Sequence, residues 1–363
     1  MKLKLYFLLL LFFPLITHQE NQNLLQNHKT IFITGAAGFI GSNFLNYMFN
    51  KYPHYHFIVL DAFTYAGNID NISPYIQDSN RFELHIGSIT DFDLVSKLMS
   101  RADFVVHIAA ESHVTNSIEN SAPFVKTNVV GTQVMLDVLT NNPQVQCFIH
   151  ISTSEVYGTA EYEPMDEKHP LNPRSPYAGS KAAADRLVYS YEKTYNLPII
   201  TVRPFNNYGP HQHPEKVIVR FITQALQGQP LTIHGDGSAQ RDWLHVSDHC
   251  RALDMILHHE NFALLKNQVI NIGTGNAYSV LEIARMILAY LKLPEEQYLL
   301  FVDDRPGQVY KHISSRSKAE ELLGWQPEIS FPQGLKETIE WYKNNGTWWK
   351  SAMKKLKCYK IIQ

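Results

Sequence analysis

A glycine-rich turn between an apolar strand and a helix constrains the fold of this chain more than any other feature. The sequence Gly35-Ala36-Ala37-Gly38-Phe39-Ile40-Gly41 follows the apolar run from Thr30 to Thr34 and precedes a helical pattern that ends near Phe49. Glycines let the backbone approach a pyrophosphate, and the helix N-terminus offers amide hydrogens and a favourable dipole. The spacing is G-x-x-G-x-x-G, so an ordinary tight turn with a capping Asp is the alternative.

An acidic residue further along the chain strengthens the first interpretation. Asp61 ends a second apolar run, Phe57 to Leu60, about 20 residues after Gly41, the distance at which dinucleotide-binding folds place a ribose-binding carboxylate. Its negative charge would repel a 2′-phosphate. The pattern therefore predicts a site for NAD rather than NADP.

Strand and helix patterns then alternate along the chain. Further apolar runs are Phe82 to His85, Asp103 to Ile108, Cys147 to Ile151 and Pro198 to Val202, with helical patterns over Phe92 to Met99, Ala122 to Leu139 and Tyr177 to Tyr195. Repeated βαβ units predict an α/β fold with a doubly wound parallel sheet of the NAD-binding Rossmann type and a smaller C-terminal substrate lobe.

This pattern divides the chain into four parts. We expect an apolar leader and polar spacer over 1–28 and the NAD-binding Rossmann domain over 29–205. Residues 206–345 should form mainly the substrate-binding lobe, with some segments returning to the Rossmann domain. The basic and aromatic tail, 346–363, is expected to be a frayed surface helix.

Two short stretches contain the candidate catalytic groups. Thr153-Ser154-Glu155 follows an apolar strand, and Tyr177 lies one helical turn before Lys181. Residues at i and i+4 share a helix face, where the ammonium of Lys181 can lower the pKa of the Tyr177 phenol. Each pattern alone has a structural explanation: a packed aromatic beside a surface amine, or a helix cap. Glu155 is a carboxylate that simple alcohol oxidation does not need.

Together these motifs resemble the extended short-chain dehydrogenases/reductases, and within them the nucleotide-sugar 4,6-dehydratases, most of all those of the dTDP-glucose type. The matching stretches are Leu60-Asp61, Thr64 to Asn68, His107 to Val114, Ile151 to Gly158, Tyr177 to Lys181, Asn206 to Pro210, Pro214 to Lys216, Arg241 to Trp243, Asp304 to Gly307 and Leu323 to Trp325. The resemblance extends from about Thr30 to Tyr342.

The resemblance implies a reaction in three stages. Tyr177 takes the proton of the sugar C4 hydroxyl as the C4 hydride passes to NAD, while Thr153 hydrogen-bonds that oxygen and Lys181 holds the nicotinamide ribose. Glu155 then removes the C5 proton, the C6 hydroxyl leaves as water, and the hydride returns to C6. The product is a 4-keto-6-deoxy sugar.

The resemblance also implies the binding residues. Those expected to contact the cofactor are Gly35, Gly38, Phe39, Ile40, Gly41, Asp61, Ser88, Ile89, Ala109, Ala110, Tyr177 and Lys181. Those expected to contact the substrate are Ser112, His113, Asn206, Asn207, Lys216, Arg241 and Arg305. The two arginines are the expected pyrophosphate ligands, because a guanidinium binds phosphate oxygens bidentately.

One catalytic position departs from the dTDP-glucose type. Ser154 occupies the place where an Asp is the presumed acid for the departing hydroxyl, and a serine hydroxyl is a poor proton donor at neutral pH. Thr-Ser-Glu also occurs in GDP-mannose 4,6-dehydratases and in UDP-glucuronate decarboxylases. A UDP-glucuronate decarboxylase is therefore the first alternative, followed by a nucleotide-sugar 4-epimerase and a non-catalytic NAD-binding protein.

Composition and the N-terminus complete these expectations. The net charge of -2 gives no basic footprint for nucleic acid,, and no metal is expected, since His211 and His213 have no third ligand nearby.

The run from Leu5 to Ile16 resembles a signal peptide but is shorter than the roughly 20 residues of a membrane span. A signal, an anchor and a misassigned start all remain open, and membrane association is expected only if this segment is retained. A cytoplasmic catalytic domain and a homodimer are expected from the resemblance.

Overall fold

The computed structural model describes residues 28–304 and 309–362, of which 356–362 are described as backbone only. The strands are β1 (Thr30–Thr34), β2 (His56–Asp61), β3 (Phe82–Ile86), β4 (Phe104–His107), β5 (Cys147–Ile151), β6 (Ile199–Pro204), β7 (Asn206–Tyr208), β8 (Leu231–His234), β9 (Gln240–His245), β10 (Val269–Ile272), β11 (Ala277–Ser279), β12 (Leu299–Val302) and β13 (Lys311–His312). The apolar leader and Arg305 lie outside the described residues.

The helices cover both faces of the main sheet and build the second lobe. They are α1 (Phe39–Lys51), α2 (Pro74–Gln77), α3 (Phe92–Met99), α4 (Val114–Glu119), α5 (Ala122–Phe124), α6 (Thr132–Thr140), α7 (Pro176–Tyr195), α8 (Val217–Leu226), α9 (Val246–Leu257), α10 (Phe262–Leu265), α11 (Val280–Leu291), α12 (Glu295–Tyr298), α13 (Ser317–Leu323), α14 (Phe331–Asn344) and α15 (Gly346–Ile362). Short 3-10 helices span Ile69–Asn71 and Ser154–Tyr157, and a π-helix spans Val125–Gly131.

The main sheet has seven parallel strands in the order β3-β2-β1-β4-β5-β6-β10. Its central strands are apolar almost throughout, because helices cover both faces and leave no polar side for alternation. One apolar core lies on each face of the sheet. The order reverses between β1 and β4, where doubly wound folds open a ligand crevice at the carboxyl ends of the strands. The predicted fold class is confirmed.

The second lobe has its own apolar core around Tyr208, Phe221 and Ile287. Strands β7, β9, β11 and β13 form one small sheet there, and β8 pairs with β12 in another. Strand β10 lies in the sequence of this lobe but pairs with β6 of the main sheet. The boundary between the two domains near residue 205 stays a prediction.

The helix expected from Ala122 to Leu139 is interrupted by the π-helix. The wide turn there contains Asn128, which is 1% exposed. Its side-chain oxygen accepts from the Glu111 amide at 2.9 Å, and its side-chain nitrogen donates to the Glu111 carbonyl at 3.0 Å. Its amide also donates to Ser180 Oγ at 2.9 Å. Such insertions often occur next to functional sites, and this one ties helix α7 to the loop that follows β4.

The basic and aromatic tail forms a helix, as predicted, and one face of its first turns is packed. Helix α15 packs against the second lobe: Trp349 is 3% exposed and Ala352 is 7% exposed. The indole of Trp349 donates to the carbonyl of Tyr342 at 2.9 Å, which fixes α15 to the end of α14. Within residues 28–304 and 309–362, no helix is both long and apolar enough to cross a bilayer.

Candidate active site

A cavity of about 580 Å³ lies between the carboxyl ends of the main strands and the second lobe. Turns after β1, β2, β4, β5 and β6 form its walls on one side. Helix α8 and strand β9 close it on the other. The predicted site residues that line it are Gly35, Gly38, Phe39, Ile40, Gly41, Asp61, Ser88, Ile89, Ala109, Ala110, Ser112, His113, Thr153, Ser154, Glu155, Tyr177, Lys181, Asn206, Asn207, Lys216 and Arg241. Of the predicted set, only Arg305 falls outside the described residues.

The glycine-rich turn forms one end of the cavity. Gly35 has a positive φ of 76°, and a Cβ there would lie 2.7 Å from the backbone of Ala109. A Cβ on Gly41 would lie 2.2 Å from the Gly35 carbonyl oxygen. Gly38 is the N-cap residue of α1, and no side chain among the described residues caps this helix N-terminus. The backbone amides of the first turn therefore remain available to a ligand. The turn therefore fits a dinucleotide pyrophosphate. Any residue larger than glycine at positions 35 and 41 would collide with the neighbouring backbone.

Asp61 stands beside that turn as expected. It is 7% exposed, and its two carboxylate oxygens accept from the amides of Ala37 and Phe63, each at 2.8 Å. Burial raises the pKa of Asp61, and these two amides and the charge of Lys355 act against that rise. The carboxylate is held in one orientation at the cavity wall, as ribose recognition requires.

The candidate catalytic residues meet at the other end of the cavity. Thr153 caps the 3-10 helix Ser154–Tyr157, accepting from the amide of Glu155 at 3.2 Å. Helix α7 begins at Pro176 after the N-cap Ser175, which directs its first turn towards this segment. Thr153 hydrogen-bonds the Tyr177 hydroxyl, and Glu155 lies close enough for its charge to act on that phenol.

Burial shifts the pKa of both members of the Tyr-Lys pair. Burial raises the pKa of Tyr177 to about 12, and the charge of Glu155 adds to the rise, although Thr153 opposes it. Burial lowers the pKa of Lys181 to about 8, while Asp185 opposes that change. Lys181 donates to the carbonyl of Ile151 at 2.6 Å instead of contacting the phenol. Burial is the largest influence on the Tyr177 pKa, and the prediction that Lys181 lowers this pKa stays a prediction.

A buried ion pair supports this end of the cavity and was not predicted. Asp185 accepts from Arg203 Nε at 2.9 Å and from its terminal nitrogen at 2.8 Å, and also from the Ser152 hydroxyl at 2.9 Å. Arg203 further donates to the Tyr157 hydroxyl at 3.0 Å. The pair joins α7, β6 and the turn after β5. Asp185 lies one helical turn after Lys181, which was the available sequence signal.

Several other cavity residues were missed. They are Thr64, Glu111, Glu215 and Arg220. Burial raises the pKa of Glu111, and Glu215 accepts from the Tyr65 hydroxyl at 2.8 Å. Thr64, Glu111 and Glu215 lie inside stretches that already matched the family. Arg220 lies one helical turn after Lys216, whose ammonium donates to the Ser112 carbonyl at 2.9 Å. Among the residues the structure describes, no group of three or more His, Cys, Asp or Glu could hold a metal.

Fold and site together define the class. A doubly wound parallel sheet, a glycine cradle with a buried Asp, and a Tyr-x-x-x-Lys pair beside a strand-end Thr are typical of an extended short-chain dehydrogenase/reductase.

Comparison with known proteins identifies the family. Residues 32–338 match the GDP-mannose 4,6-dehydratase family, and the chain belongs to it. The low-salt glycan biosynthesis protein Agl12 of Haloferax volcanii is 43% identical over 86% of this chain and 98% of its own length. A dTDP-glucose 4,6-dehydratase of Streptomyces niveus is 40% identical over 88% of this chain and 94% of its own. The predicted resemblance is confirmed.

A solved structure agrees. The dTDP-glucose 4,6-dehydratase of Bacillus anthracis, crystallised in complex with NAD, superimposes with a TM-score of 0.82 and 38% identity, covering 89% of this chain and 99% of that one.

Proposed function

We propose that this protein is an NAD-dependent nucleotide-sugar 4,6-dehydratase that converts dTDP-glucose to its 4-keto-6-deoxy product. Membership of the family and relatives at about 40% identity support the reaction class. The observation that supports it best within the site is the position of Glu155, a carboxylate in the same cavity as Tyr177 and close enough to influence its titration. Oxidation alone needs no such base, whereas elimination across C5 and C6 does.

The residues of the chain divide the chemistry between them. NAD, when bound, supplies the hydride acceptor and donor, and the turn from Gly35 to Gly41 with Asp61 would hold it. Thr153 and Tyr177 bind the sugar C4 oxygen, and Tyr177 exchanges its proton with that oxygen. Glu155 takes the C5 proton, which a neighbouring ketone makes acidic, and gives a proton to the C6 hydroxyl, which leaves as water. Arg241, at the cavity wall, binds the substrate diphosphate.

Tyr177 needs help to act as a base at neutral pH. With a pKa of about 12, the phenol is protonated at neutral pH and has to lose its proton before it can accept one from the C4 hydroxyl. Positive charge close to the hydroxyl favours the phenolate. The Lys181 ammonium, which lies one turn further along the same helix, is the group of this chain that would supply such charge.

A product-resolved assay tests the proposal. The purified full-length chain is incubated with NAD and, separately, with dTDP-glucose, UDP-glucose, GDP-mannose, UDP-N-acetylglucosamine and UDP-glucuronate, and the products are identified by NMR. We expect a 4-keto-6-deoxy sugar from dTDP-glucose. Carbon dioxide released from UDP-glucuronate alone would identify a decarboxylase. A C4 epimer would identify an epimerase, and bound NAD without any turnover would indicate a non-catalytic protein.

We also propose that the enzyme is a homodimer. Val125, Val130 and Tyr189 are 49%, 42% and 47% exposed on the π-helix and on α7, which pack against each other along one side of the Rossmann domain. Large apolar side chains exposed on two helices that contact each other are typical of an interface,. Sedimentation equilibrium should give twice the chain mass of 41.7 kDa, and the chain mass itself would contradict the proposal.

A further inference from the structure

Helix α15 (Gly346–Ile362) begins after the last residue of the family match, residue 338. Its side chains nevertheless contact a loop that lines the cavity near Asp61. They contact the ribose loop, by which we mean residues 62–71, the segment that follows Asp61. Four residues of this loop line the cavity: Ala62, Thr64, Ala66 and Gly67.

Lys355 makes the first contact with the ribose loop. Its ammonium donates to the Gly67 carbonyl at 2.5 Å, and its charge acts on the Asp61 carboxylate. Gly67 itself lies against that carboxylate, since a Cβ on Gly67 would be 3.0 Å from Asp61 Oδ1. Lys355 therefore fixes the loop at the point where it meets the ribose-binding group.

Trp348 makes the second contact, one that continues to the glycine-rich turn. Its indole nitrogen donates to Asn71 Oδ1 at 2.9 Å, and the Asn71 amide donates to the Ala37 carbonyl at 2.7 Å. The backbone amide of Asn68 donates to the same carbonyl at 2.9 Å. The Ala37 amide in turn donates to Asp61 at 2.8 Å. An unbroken series of hydrogen bonds thus connects α15 with the cofactor cradle.

The rest of α15 is anchored independently of the ribose loop. Trp349 is buried and bonds the Tyr342 carbonyl of α14. Because α14 belongs to the second lobe, α15 connects that lobe to the ribose loop of the Rossmann domain. Removing the contacts of Trp348 or Lys355 should therefore free the loop while the helix stays in place.

We propose that α15 is a cofactor clasp, in which Lys355 and Trp348 hold the ribose loop against the glycine-rich turn and thereby determine how tightly the enzyme retains NAD. The proposal rests on the proposed NAD-dependent function. Lys355 and Trp348 are positioning residues, since they act through the loop and through Asn71. A pre-ordered loop lowers the entropic cost of binding, so loss of the clasp should weaken NAD binding more than catalysis.

Calorimetric titration of NAD into the full-length chain, stripped of bound cofactor, tests the clasp. Lys355→Met keeps the length of the side chain and removes its charge. We expect it to raise the NAD dissociation constant about tenfold, because the loop would then have to become ordered when NAD binds. Lys354→Met is the matched control, because Lys354 is exposed on the same helix, and it should stay within about twofold of the parent. Lys355→Arg should recover most of the affinity.

Trp348→Phe provides a second test that keeps the aromatic ring and removes only the donor. It should raise the same dissociation constant by about threefold to tenfold. Thermal unfolding without NAD distinguishes a clasp from a structural role: the midpoints of Lys355→Met and Lys354→Met should agree. Unchanged NAD affinity in both Lys355→Met and Trp348→Phe overturns the clasp alone. A parent chain that does not bind NAD overturns the proposed function and the clasp with it.

Discussion

The two ends of the active-site cavity are held in place by different kinds of structure. At the catalytic end, Thr153 follows strand β5, and Tyr177 and Lys181 lie on helix α7. The buried pair of Asp185 and Arg203 joins these elements. At the end proposed to hold the adenosine, the ribose loop is held by Trp348 and Lys355 of helix α15, which lie 277 and 288 positions further along the chain than their partners Asn71 and Gly67. The first arrangement depends on a buried ion pair, and the second depends on contacts between a loop and a C-terminal helix, so we expect substitutions at the two ends to affect different properties of the enzyme.

The largest expected effect is at the catalytic end. Tyr177→Phe removes the hydroxyl that exchanges a proton with the C4 oxygen, and kcat should fall by about 10² to 10⁴. The NAD dissociation constant should change far less, because the glycine-rich turn and Asp61 are untouched. Steady-state kinetics and calorimetry on one preparation measure both quantities. A kcat within tenfold of the parent would remove Tyr177 from the chemistry.

The support of the catalytic end should dominate stability. Asp185→Asn leaves the Arg203 guanidinium buried without its carboxylate, which should cost about 3 to 5 kcal/mol in the free energy of unfolding. Urea denaturation measures it. Lys355→Met serves as the comparison from the adenosine end and should cost far less. Equal losses in the two variants would mean that both ends depend on the same core.

The pH dependence of activity should also be a property of the catalytic end. Lys181 is charged below its pKa of about 8, so kcat/KM should fall as pH rises through that value. Stability should change in the opposite direction. The pKa of Lys181 in the folded protein lies below its ordinary value of 10.5. The unfolded chain therefore holds more protons between about pH 8 and pH 10.5, and folding becomes more favourable as pH rises.

Parallel measurements of kcat/KM and of unfolding midpoints across this pH range separate the two effects. Lys181→Arg, which keeps its charge, should lose the alkaline fall in whatever activity it retains. A fall in activity that coincides with unfolding would contradict the assignment to Lys181.

The smallest expected effect is at Ser154. Its hydroxyl is a poor proton donor, so Ser154→Ala should change kcat by less than about threefold and should leave the product unchanged. NMR of the product and steady-state rates check both statements. A loss of more than tenfold would instead make Ser154 the group that protonates the departing hydroxyl.

The same contrast explains how much of the site could be predicted from the sequence. Parallel strands bring their carboxyl ends to one edge, so short motifs after β1, β2, β4, β5 and β6 predicted residues that now line one cavity. Each motif lies directly after its strand in the sequence, so its place at the edge of the sheet could be predicted from the order of strands and motifs. The fold class and the family followed from the same motifs and are confirmed. The roles of the individual residues stay predictions.

The features that were not predicted depend on contacts between distant parts of the chain. The clasp joins Lys355 to Gly67, and no local pattern records such a pairing. The basic and aromatic composition of the tail is compatible both with a frayed surface helix and with a packed one. Only the packing of Trp349 against α14 distinguishes these two possibilities. The raised pKa of Tyr177 follows from burial, which the i, i+4 spacing of Tyr177 and Lys181 does not report.

The central claim is that Glu155 converts an oxidation into a dehydration, and isotope transfer tests it most directly. The enzyme is given dTDP-glucose with deuterium at C4, and the product is examined by NMR and mass spectrometry. We predict a 4-keto-6-deoxy sugar with the deuterium at C6 and a solvent proton at C5, and no such product from Glu155→Gln. A product that keeps its C6 hydroxyl, or full activity in Glu155→Gln, would contradict the claim.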